Sequence, residues 1–226
     1  MSTTTESPPR PLKEALADAE AFQALFDPKS YIRWEFAGSV RRRRPHVSDI
    51  EHVIIPARGP VSVGGDLFGD MKEVNLLFHR MDQLVAEGTL AKHVYPNGTN
   101  RWGEKLRGVE FRRFNHEVHA CCGDNWGSKL AIATGPADFS KLLVIALRRN
   151  GYANEDGYVR NRQDWYCSCG WTGSQPGFVM KAPAGEVPVC PKCMSPEVEP
   201  RIVPVASERA YFDLCGVAYK EPEDRV

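Results

Sequence analysis

The sequence carries two acidic residues at a spacing that suits a divalent metal ion. Asp49 and Glu51 are separated by one residue, and the apolar run at 53–55 predicts that they lie on a strand. Because alternate residues of a strand face the same side, both carboxylates point to one face. Such carboxylates repel each other unless a cation lies between them, and magnesium prefers oxygen ligands. The pair therefore predicts a magnesium site, and two such ions can activate an attacking hydroxyl and stabilise a leaving oxygen.

The segment before this strand offers groups that bind phosphate. Gly38 and Ser39 lie at a predicted turn, where backbone N–H groups and a hydroxyl can contact phosphate oxygens. Arg42, within the basic run 41–44, adds charge and a planar donor group. Taken alone, the basic run would indicate a solvated loop. The complete order of glycine-serine, arginines and the acidic pair at 48–51 is more specific than any of its parts.

Four cysteines form two close pairs that predict a structural zinc site. Cys167 and Cys169 form a C-x-C pair, and Cys190 and Cys193 form a C-x-x-C pair, with 20 residues between the pairs. Four thiolates close a tetrahedral zinc site without room for water, so the ion would have no catalytic position. The glycine and proline turns around both pairs resemble the knuckles of a zinc ribbon. Four unrelated thiols in a loop would not explain the paired spacing.

The role of this ribbon is open between two alternatives. It can grip DNA through basic side chains, or it can only staple a small subdomain. Trp165 and Trp171 can stack on bases, but aromatic residues beside such knuckles more often pack the ribbon core. The simplest interpretation of the remaining cysteines, Cys121, Cys122 and Cys215, is that they are core residues. The basic candidates for DNA contact are Arg160, Arg162, Lys181 and Lys192.

Residue periodicity places these groups in an α+β fold. Apolar residues at helical spacing predict helices over residues 12–26, 71–87, 125–133, 137–149 and 207–214. Alternating residues predict strands over residues 31–37 and 50–55, with short strands near 90–95, 101–106, 108–114 and 116–122. A glycine-rich connection occupies residues 57–70, and Ser207 is the expected cap of the last helix. The order predicts a catalytic domain of mixed strands and helices, then a helical subdomain that contains the cysteine insert.

The composition of the chain says more about where the protein is located than about whether it binds nucleic acid. Of the 226 residues, 42% are apolar, which suits a globular protein with a core. Basic and acidic residues number 29 each, so net charge indicates nothing about a nucleic-acid partner. Residues 1–11 are polar and proline-rich, which predicts a disordered tail, and no apolar run approaches the roughly 18 residues that cross a bilayer. We therefore expect a cytoplasmic protein, and the small size is compatible with a virus-encoded one in a host cytoplasm.

Three separated motifs resemble those of family X DNA polymerases, the polymerase beta-like nucleotidyltransferases. GSVRR…SDIE at 38–51 is similar to the family's G-S-x-R-R and D-x-D signature, with Glu51 in place of the second aspartate. TGPADF at 134–139 resembles the T-G-x-x-x-F segment that joins palm to thumb. SERAYFDLCGVAYKEPEDR at 207–225 is similar to the family's C-terminal ending. The likeness covers roughly residues 12–155 and 203–225, with the motifs in the family's order.

The resemblance implies further site residues. Glu117 matches the third metal-binding aspartate of the family, which also acts as base toward the primer 3′ hydroxyl. His119 is the rival on the same strand face, but a hard magnesium site favours the carboxylate. Smaller residues replace two bulky aromatic residues that line the family's sugar site, which predicts weaker discrimination against ribose. The smaller residues at the sugar site are Ile132 and Ala133. The resemblance also implies a nucleotide-binding site formed by Gly38, Ser39, Arg42, Thr134 and Gly135.

The same resemblance implies the domain plan and the activity. A nucleotidyltransferase palm is expected over 12–134, and a thumb-like subdomain over 135–226, with the zinc-ribbon insert at about 160–200. The expected reaction transfers a nucleotide from a nucleoside triphosphate to a primer 3′ hydroxyl, using two magnesium or manganese ions. Primer-template or gapped DNA is the expected partner, which suits short gap filling in DNA repair or replication. A monomer with one structural zinc ion is expected.

Two other functions remain open from the sequence. The Asp-x-Glu variant leaves room for a template-independent nucleotidyltransferase that acts on a nucleic-acid end or a small molecule. A non-catalytic zinc-ribbon protein that binds nucleic acid is the third alternative. Retention of Asp49, Glu51 and Glu117 as acidic residues favours catalysis over this last possibility.

Overall fold

The computed structural model describes residues 8–63, 70–155, 157–181 and 185–226, which form an α+β fold. Within these ranges the helices are α1 (Leu12–Gln23), α2 (Gly38–Arg41), α3 (Leu76–Ala86), α4 (Trp126–Thr134), α5 (Ala137–Arg149) and α6 (Glu208–Cys215). The strands are β1 (Arg10–Pro11), β2 (Tyr31–Phe36), β3 (His46–Val47), β4 (Asp49–Pro56), β5 (Arg58–Val63), β6 (Asp70–Asn75), β7 (Ala91–Lys92), β8 (Leu106–Phe111), β9 (Phe114–Ala120), β10 (Tyr152–Glu155), β11 (Tyr158–Cys167), β12 (Thr172–Gly173), β13 (Gly177–Lys181), β14 (Gly185–Val189) and β15 (Val198–Val203).

A five-stranded mixed sheet forms the centre of the N-terminal part. Its strand order is β2-β4-β9-β8-β7. β4 and β9 are parallel neighbours, whereas the other pairs are antiparallel. The parallel register places Asp49 opposite Asn115 and Glu51 opposite Glu117. The sheet therefore brings together two acidic residues that are far apart in the sequence.

Two helices cover one face of this sheet. β4 alternates so that Ile50, His52 and Ile54, all fully buried, point toward this face. α1 and α3 contribute large apolar side chains from their inner sides, as their helical periodicity predicts. The main members of this core are Phe22, Phe26, Ile54, Leu77, Phe78, Met81, Leu84, Val109 and Val118.

The opposite face is covered only in part. α4 packs Trp126 and Leu130 against Val53 of β4. At the N-terminal end of the same strand Asp49 is exposed and Glu51 half-buried. The acidic residues therefore lie on a sheet face that is packed at one end and open at the other.

The C-terminal part contains a second sheet in addition to its helices. β11 pairs with β15 along one edge and with β10 and β12 along the other. Its core includes Leu143 and Leu147 of α5, Tyr211 and Phe212 of α6, and Val159 of β11. The C-terminal part is therefore built from both helices and strands, since a four-stranded sheet supports its helices.

Several predicted boundaries need correction. The predicted helix over 71–87 begins only at Leu76, because β6 occupies its first residues and Asn75 caps the helix by accepting the Phe78 N–H at 3.0 Å. The predicted strand over 101–106 is wrong, since β8 begins at Leu106. Arg10 and Pro11, placed in the predicted tail, pair with β3, while residues 1–7 lie outside the described chain. Half of the predicted connection over 57–70 belongs to β5 and the start of β6, and its residues 64–69 are outside the described ranges.

A buried ionic network joins the N-terminal and C-terminal parts. Glu208, at the start of α6, accepts two bonds from Arg41 at 2.8 and 2.6 Å and one from Arg225 at 2.8 Å. Arg41 also donates to the hydroxyl of Thr134 at 2.7 Å. Glu208 and Arg225 are buried, so each charge depends on its partners.

We predict that Glu208→Gln lowers the free energy of unfolding by about 3–5 kcal/mol, because two buried guanidinium groups lose their carboxylate. Glu221→Gln is the matched control, since Glu221 pairs with Arg209 in solvent and should contribute less than about 1 kcal/mol. Urea unfolding at neutral pH measures both variants. Equal losses in the two variants would show that the network does not join the two parts.

The loss of unfolding free energy in Glu208→Gln should depend on pH. Burial alone would raise the pKa of Glu208, but hydrogen bonds from Arg41 and Arg225 lower it below its ordinary value of 4.5. A carboxylate with a lowered pKa stabilises the folded state above 4.5 and loses this contribution as the pH falls further. The difference in unfolding free energy between wild type and Glu208→Gln should therefore shrink in acid.

Candidate functional site

Two of the predicted carboxylates meet a histidine on the open face of the main sheet. Glu51, Glu117 and His119 each offer one ligand atom, and these atoms all lie within 4.8 Å of one another. The parallel register of β4 and β9 produces this convergence, because it sets Glu51 beside Glu117. The sequence analysis had placed His119 second to Glu117, whereas the structure brings both residues to the same cluster.

Asp49 lies on the same strand face, two residues before Glu51. Both carboxylates line one cleft, and Asp49 is the more exposed of the two. Asp49 is not a member of the tight cluster formed by Glu51, Glu117 and His119. Asp49 and Glu51 thus share the cleft, whereas Glu51 and Glu117 are the two carboxylates that converge closely with His119.

The carboxyl group of Glu51 has an unusual environment. Burial raises its pKa, the charges of Asp49 and Glu117 raise it further, and Arg42 opposes them, so that the pKa reaches about 8. Without a cation this group therefore keeps its proton at neutral pH. A divalent ion between the carboxylates would remove the repulsion and favour the ionised form.

Glu117 is held by two residues that the sequence analysis missed. The Tyr95 hydroxyl donates to Oε1 of Glu117 at 2.5 Å, and Arg101 donates to the same oxygen at 2.9 Å. Burial alone would raise the pKa of Glu117, but its polar neighbours His119, Tyr95 and Arg101 lower it to about 2. Tyr95 and Arg101 thus fix this side chain as an anion.

Gly38 has a steric reason to be glycine. A Cβ atom built on Gly38 would lie 1.6 Å from Oε2 of Glu51, and its φ of +57° is in the left-handed region. The start of α2 therefore approaches the Glu51 carboxylate more closely than any side chain would permit. This contact explains the glycine of the predicted phosphate-binding turn.

A cleft of about 850 Å³ lies beside the acidic residues and contains most of the predicted nucleotide site. Ser39, Arg42 and Gly135 line it, together with the smaller residues Ile132 and Ala133. Its other wall is α5, which contributes Ser140, Lys141, Val144, Ile145 and Arg148. The cleft therefore combines an acidic end, a cationic side and an apolar wall.

Thr134 is the predicted nucleotide residue that the structure places elsewhere. It is fully buried, its hydroxyl accepts from Arg41, and its carbonyl accepts a hydrogen bond from Arg42. Thr134 therefore orients the two arginines of α2 and its own side chain does not line the cleft. The sequence could not separate this supporting role from direct contact, because both require a polar residue at the turn.

The four predicted zinc ligands converge in the C-terminal part. The sulfur atoms of Cys167 and Cys193 are 3.7 Å apart, and those of Cys169 and Cys190 are 3.6 Å apart. All four atoms lie within 4.8 Å of one another. A tetrahedral zinc with bonds of about 2.3 Å places its sulfur atoms roughly 3.8 Å apart. The four cysteines can therefore hold one zinc ion without rearrangement.

The charges around this cluster argue against a strongly basic DNA-binding surface. Arg160 pairs with Glu199 at 2.9 Å, and Arg162 lies 3.4 Å from Glu155. Trp165 is buried and donates its N–H to the Arg162 carbonyl at 2.7 Å, so it packs the ribbon core. The side chain of Lys181 lies outside the described part of the chain. Two of the four proposed basic contacts are thus already paired with carboxylates.

Comparison with known proteins does not assign a family. No protein-family model matches the chain, and no curated protein matches it significantly in sequence. Among the residues that the structure describes, no helix has both the length and the apolar character needed to cross a membrane. The functional argument therefore rests on the sheet, the cleft and the two clusters of ligand atoms.

We predict one zinc ion per chain, bound by the four cysteines. Cys190→Ser should reduce the zinc content of purified protein to near zero, because a serine hydroxyl is a poor substitute for a thiolate. Cys122→Ser is the matched control and should keep the ion, since Cys122 lies outside the cluster. Elemental analysis gives the zinc content, and full retention in Cys190→Ser would contradict the assignment.

Proposed function

We propose that this protein is a metal-dependent nucleotidyltransferase of the family X polymerase type. The observation that carries the proposal is the placement of Glu51 and Glu117 in register on parallel strands, beside a cleft that contains Asp49, Ser39 and Arg42. The motif order described for the sequence supports the same assignment. Its proposed reaction is addition of a nucleotide from a nucleoside triphosphate to the 3′ hydroxyl of a DNA primer, with short gaps as substrates.

The acidic end of the cleft suits two divalent ions. Asp49, Glu51 and Glu117 would hold magnesium or manganese, which supplies charge stabilisation for the attacking and leaving oxygens when bound. The raised pKa of Glu51 fits this role, because a bound cation would offset the repulsion that now protonates the carboxyl group. Tyr95 and Arg101 support the proposal by keeping Glu117 ionised and oriented.

The cationic side of the cleft suits a triphosphate. Arg42 is near the acidic residues, and its Nε atom is buried without a hydrogen-bond partner in the described part of the chain. The hydroxyl of Ser39 lies at the start of α2 in the same cleft. Lys141 and Arg148 extend positive charge along the α5 wall, where a nucleic-acid phosphate can be contacted. The same α5 wall also offers the apolar side chains of Val144 and Ile145, which a base can contact.

Template dependence separates the proposed function from its nearest alternative. We predict that the protein extends a labelled primer across a short gap in magnesium or manganese, with the added nucleotide set by the template. Asp49→Asn should lower the rate at least about 30-fold, because a metal ligand loses its charge. Asp213→Asn, at an exposed carboxylate of α6 outside the cleft, is the matched control and should retain the wild-type rate.

The possible outcomes of this assay are distinct. Addition that follows the template supports the polymerase assignment. Addition that ignores the template would replace it with a template-independent nucleotidyltransferase. An absence of addition on primer, gapped and single-stranded DNA, with folded and zinc-loaded protein, would contradict both enzymatic assignments.

A second prediction concerns the sugar. Ile132 and Ala133 are half-buried at the cleft and leave space where a large aromatic side chain would exclude a ribose 2′ hydroxyl. We predict that kcat/KM values for ribo- and deoxyribonucleotides lie within about tenfold of each other. Ile132→Tyr should widen this ratio by about tenfold or more. Ile145→Tyr, on the α5 wall, is the control, and strict rejection of ribonucleotides by the wild type would contradict the prediction.

A further inference from the structure

The third ligand of the acidic cluster is an imidazole. His119 lies two residues after Glu117 on β9, so both side chains occupy the same face of the sheet. Its Nε2 atom is 3.6 Å from Oε2 of Glu117. One of its ring nitrogens lies within 4.8 Å of ligand atoms of both Glu51 and Glu117. The Nε2 atom is buried and has no hydrogen-bond partner among the residues that the structure describes. A buried polar nitrogen without a partner is costly unless something else occupies its lone pair.

The orientation of Glu117 leaves one oxygen for this histidine. Oε1 accepts from both Tyr95 and Arg101, so that oxygen is engaged by the protein. Oε2 is the atom nearest to His119, at 3.6 Å, which is too long for a hydrogen bond. Two ligand atoms bound at about 2.1 Å to one ion lie roughly 3.0–3.4 Å apart. The separation is therefore close to that of two atoms that share a metal.

We propose that His119 is a metal ligand together with Glu51 and Glu117, and that this donor set selects manganese(II) over magnesium. The inference rests on the proposed function, and it names the metal that the same site prefers. Magnesium favours an all-oxygen environment, whereas an imidazole nitrogen increases affinity for first-row transition ions. Carboxylates in the same set remain good ligands for manganese. The site would then differ from one built on three carboxylates alone.

A supporting role for His119 gives a different expectation. If His119 only oriented Glu117, its replacement would change the geometry of the carboxylate without changing which atoms bind the ion. A directly bound nitrogen, by contrast, has a magnetic coupling to manganese that an orienting residue does not produce. The decisive measurement is therefore spectroscopic and needs neither primer nor nucleotide.

The experiment uses the zinc-loaded full-length protein with manganese(II) as the probe. Pulsed electron paramagnetic resonance of the manganese-loaded wild type should show the coupling of a directly bound ¹⁴N, and ¹⁵N-histidine labelling should shift it. His119→Ala should remove the coupling and weaken manganese binding at least about tenfold in a titration. His119→Asp should narrow the preference for manganese over magnesium, because it restores an oxygen ligand.

His46→Ala is the matched control, since His46 lines the cleft beside Asp49 and Glu51 but does not belong to the cluster of ligand atoms. This variant should keep both the nitrogen coupling and the manganese affinity. Absence of the coupling in wild type, or its persistence in His119→Ala, would overturn the assignment. Should His119→Ala fail to fold, the labelled wild type and His46→Ala still decide the question. Primer extension that succeeds without a nitrogen coupling would remove only the His119 assignment and leave the proposed function intact.

Discussion

The parallel pairing of β4 with β9 is the constraint on which the rest of the site depends. A hydrogen-bonded chain on the reverse face of these strands holds them together. Trp34 donates to Nδ1 of His52 at 3.1 Å. Nε2 of His52 lies 2.9 Å from Nδ1 of His116, and Nε2 of His116 lies 3.1 Å from Oδ1 of Asp18. An indole N–H can only donate, so Nδ1 of His52 accepts and the tautomers of both histidines are fixed. Each imidazole therefore donates its Nε2–H to the next group, and the last acceptor is Asp18. Burial lowers the pKa of both His52 and His116, which favours their neutral imidazole forms.

These hydrogen bonds hold two acidic residues opposite each other, where two negative charges would destabilise the sheet. The surroundings treat the two glutamates differently. Glu51 is buried against Gly38 and keeps its proton, whereas Glu117 is stabilised as an anion by Tyr95 and Arg101. The pair therefore carries about one negative charge without a cation, which limits the repulsion within the sheet. Because of this asymmetry, a divalent ion that bound the proposed site would favour release of the Glu51 proton.

The sequence predicted those features that depend on local spacing. The alternation of Asp49 and Glu51, the Ser207 cap and the pairing of cysteines each follow from residues that are near in the chain. Contacts between distant segments were not predictable in this way. Tyr95 and Arg101 lie between β7 and β8, outside any helix or strand. The strands predicted near 90–95 and 101–106 did not indicate that these side chains reach Glu117. Whether these elements form a nucleotidyltransferase palm stays a prediction, and the α+β class is the part that the fold itself supports.

The cysteine cluster also has a chemical consequence of its own. Cys167 and Cys190 are buried, Cys169 is half-buried, and Cys193 is exposed. With zinc bound, an electrophile or peroxide would meet Cys193 first, because reactivity of a thiolate follows its accessibility. Loss of that single sulfur would open the coordination sphere and release the chain between β11 and β15. Oxidation would thus loosen the C-terminal sheet, beginning at the pair that contains Cys193. The carboxylates of the cleft would not be oxidised.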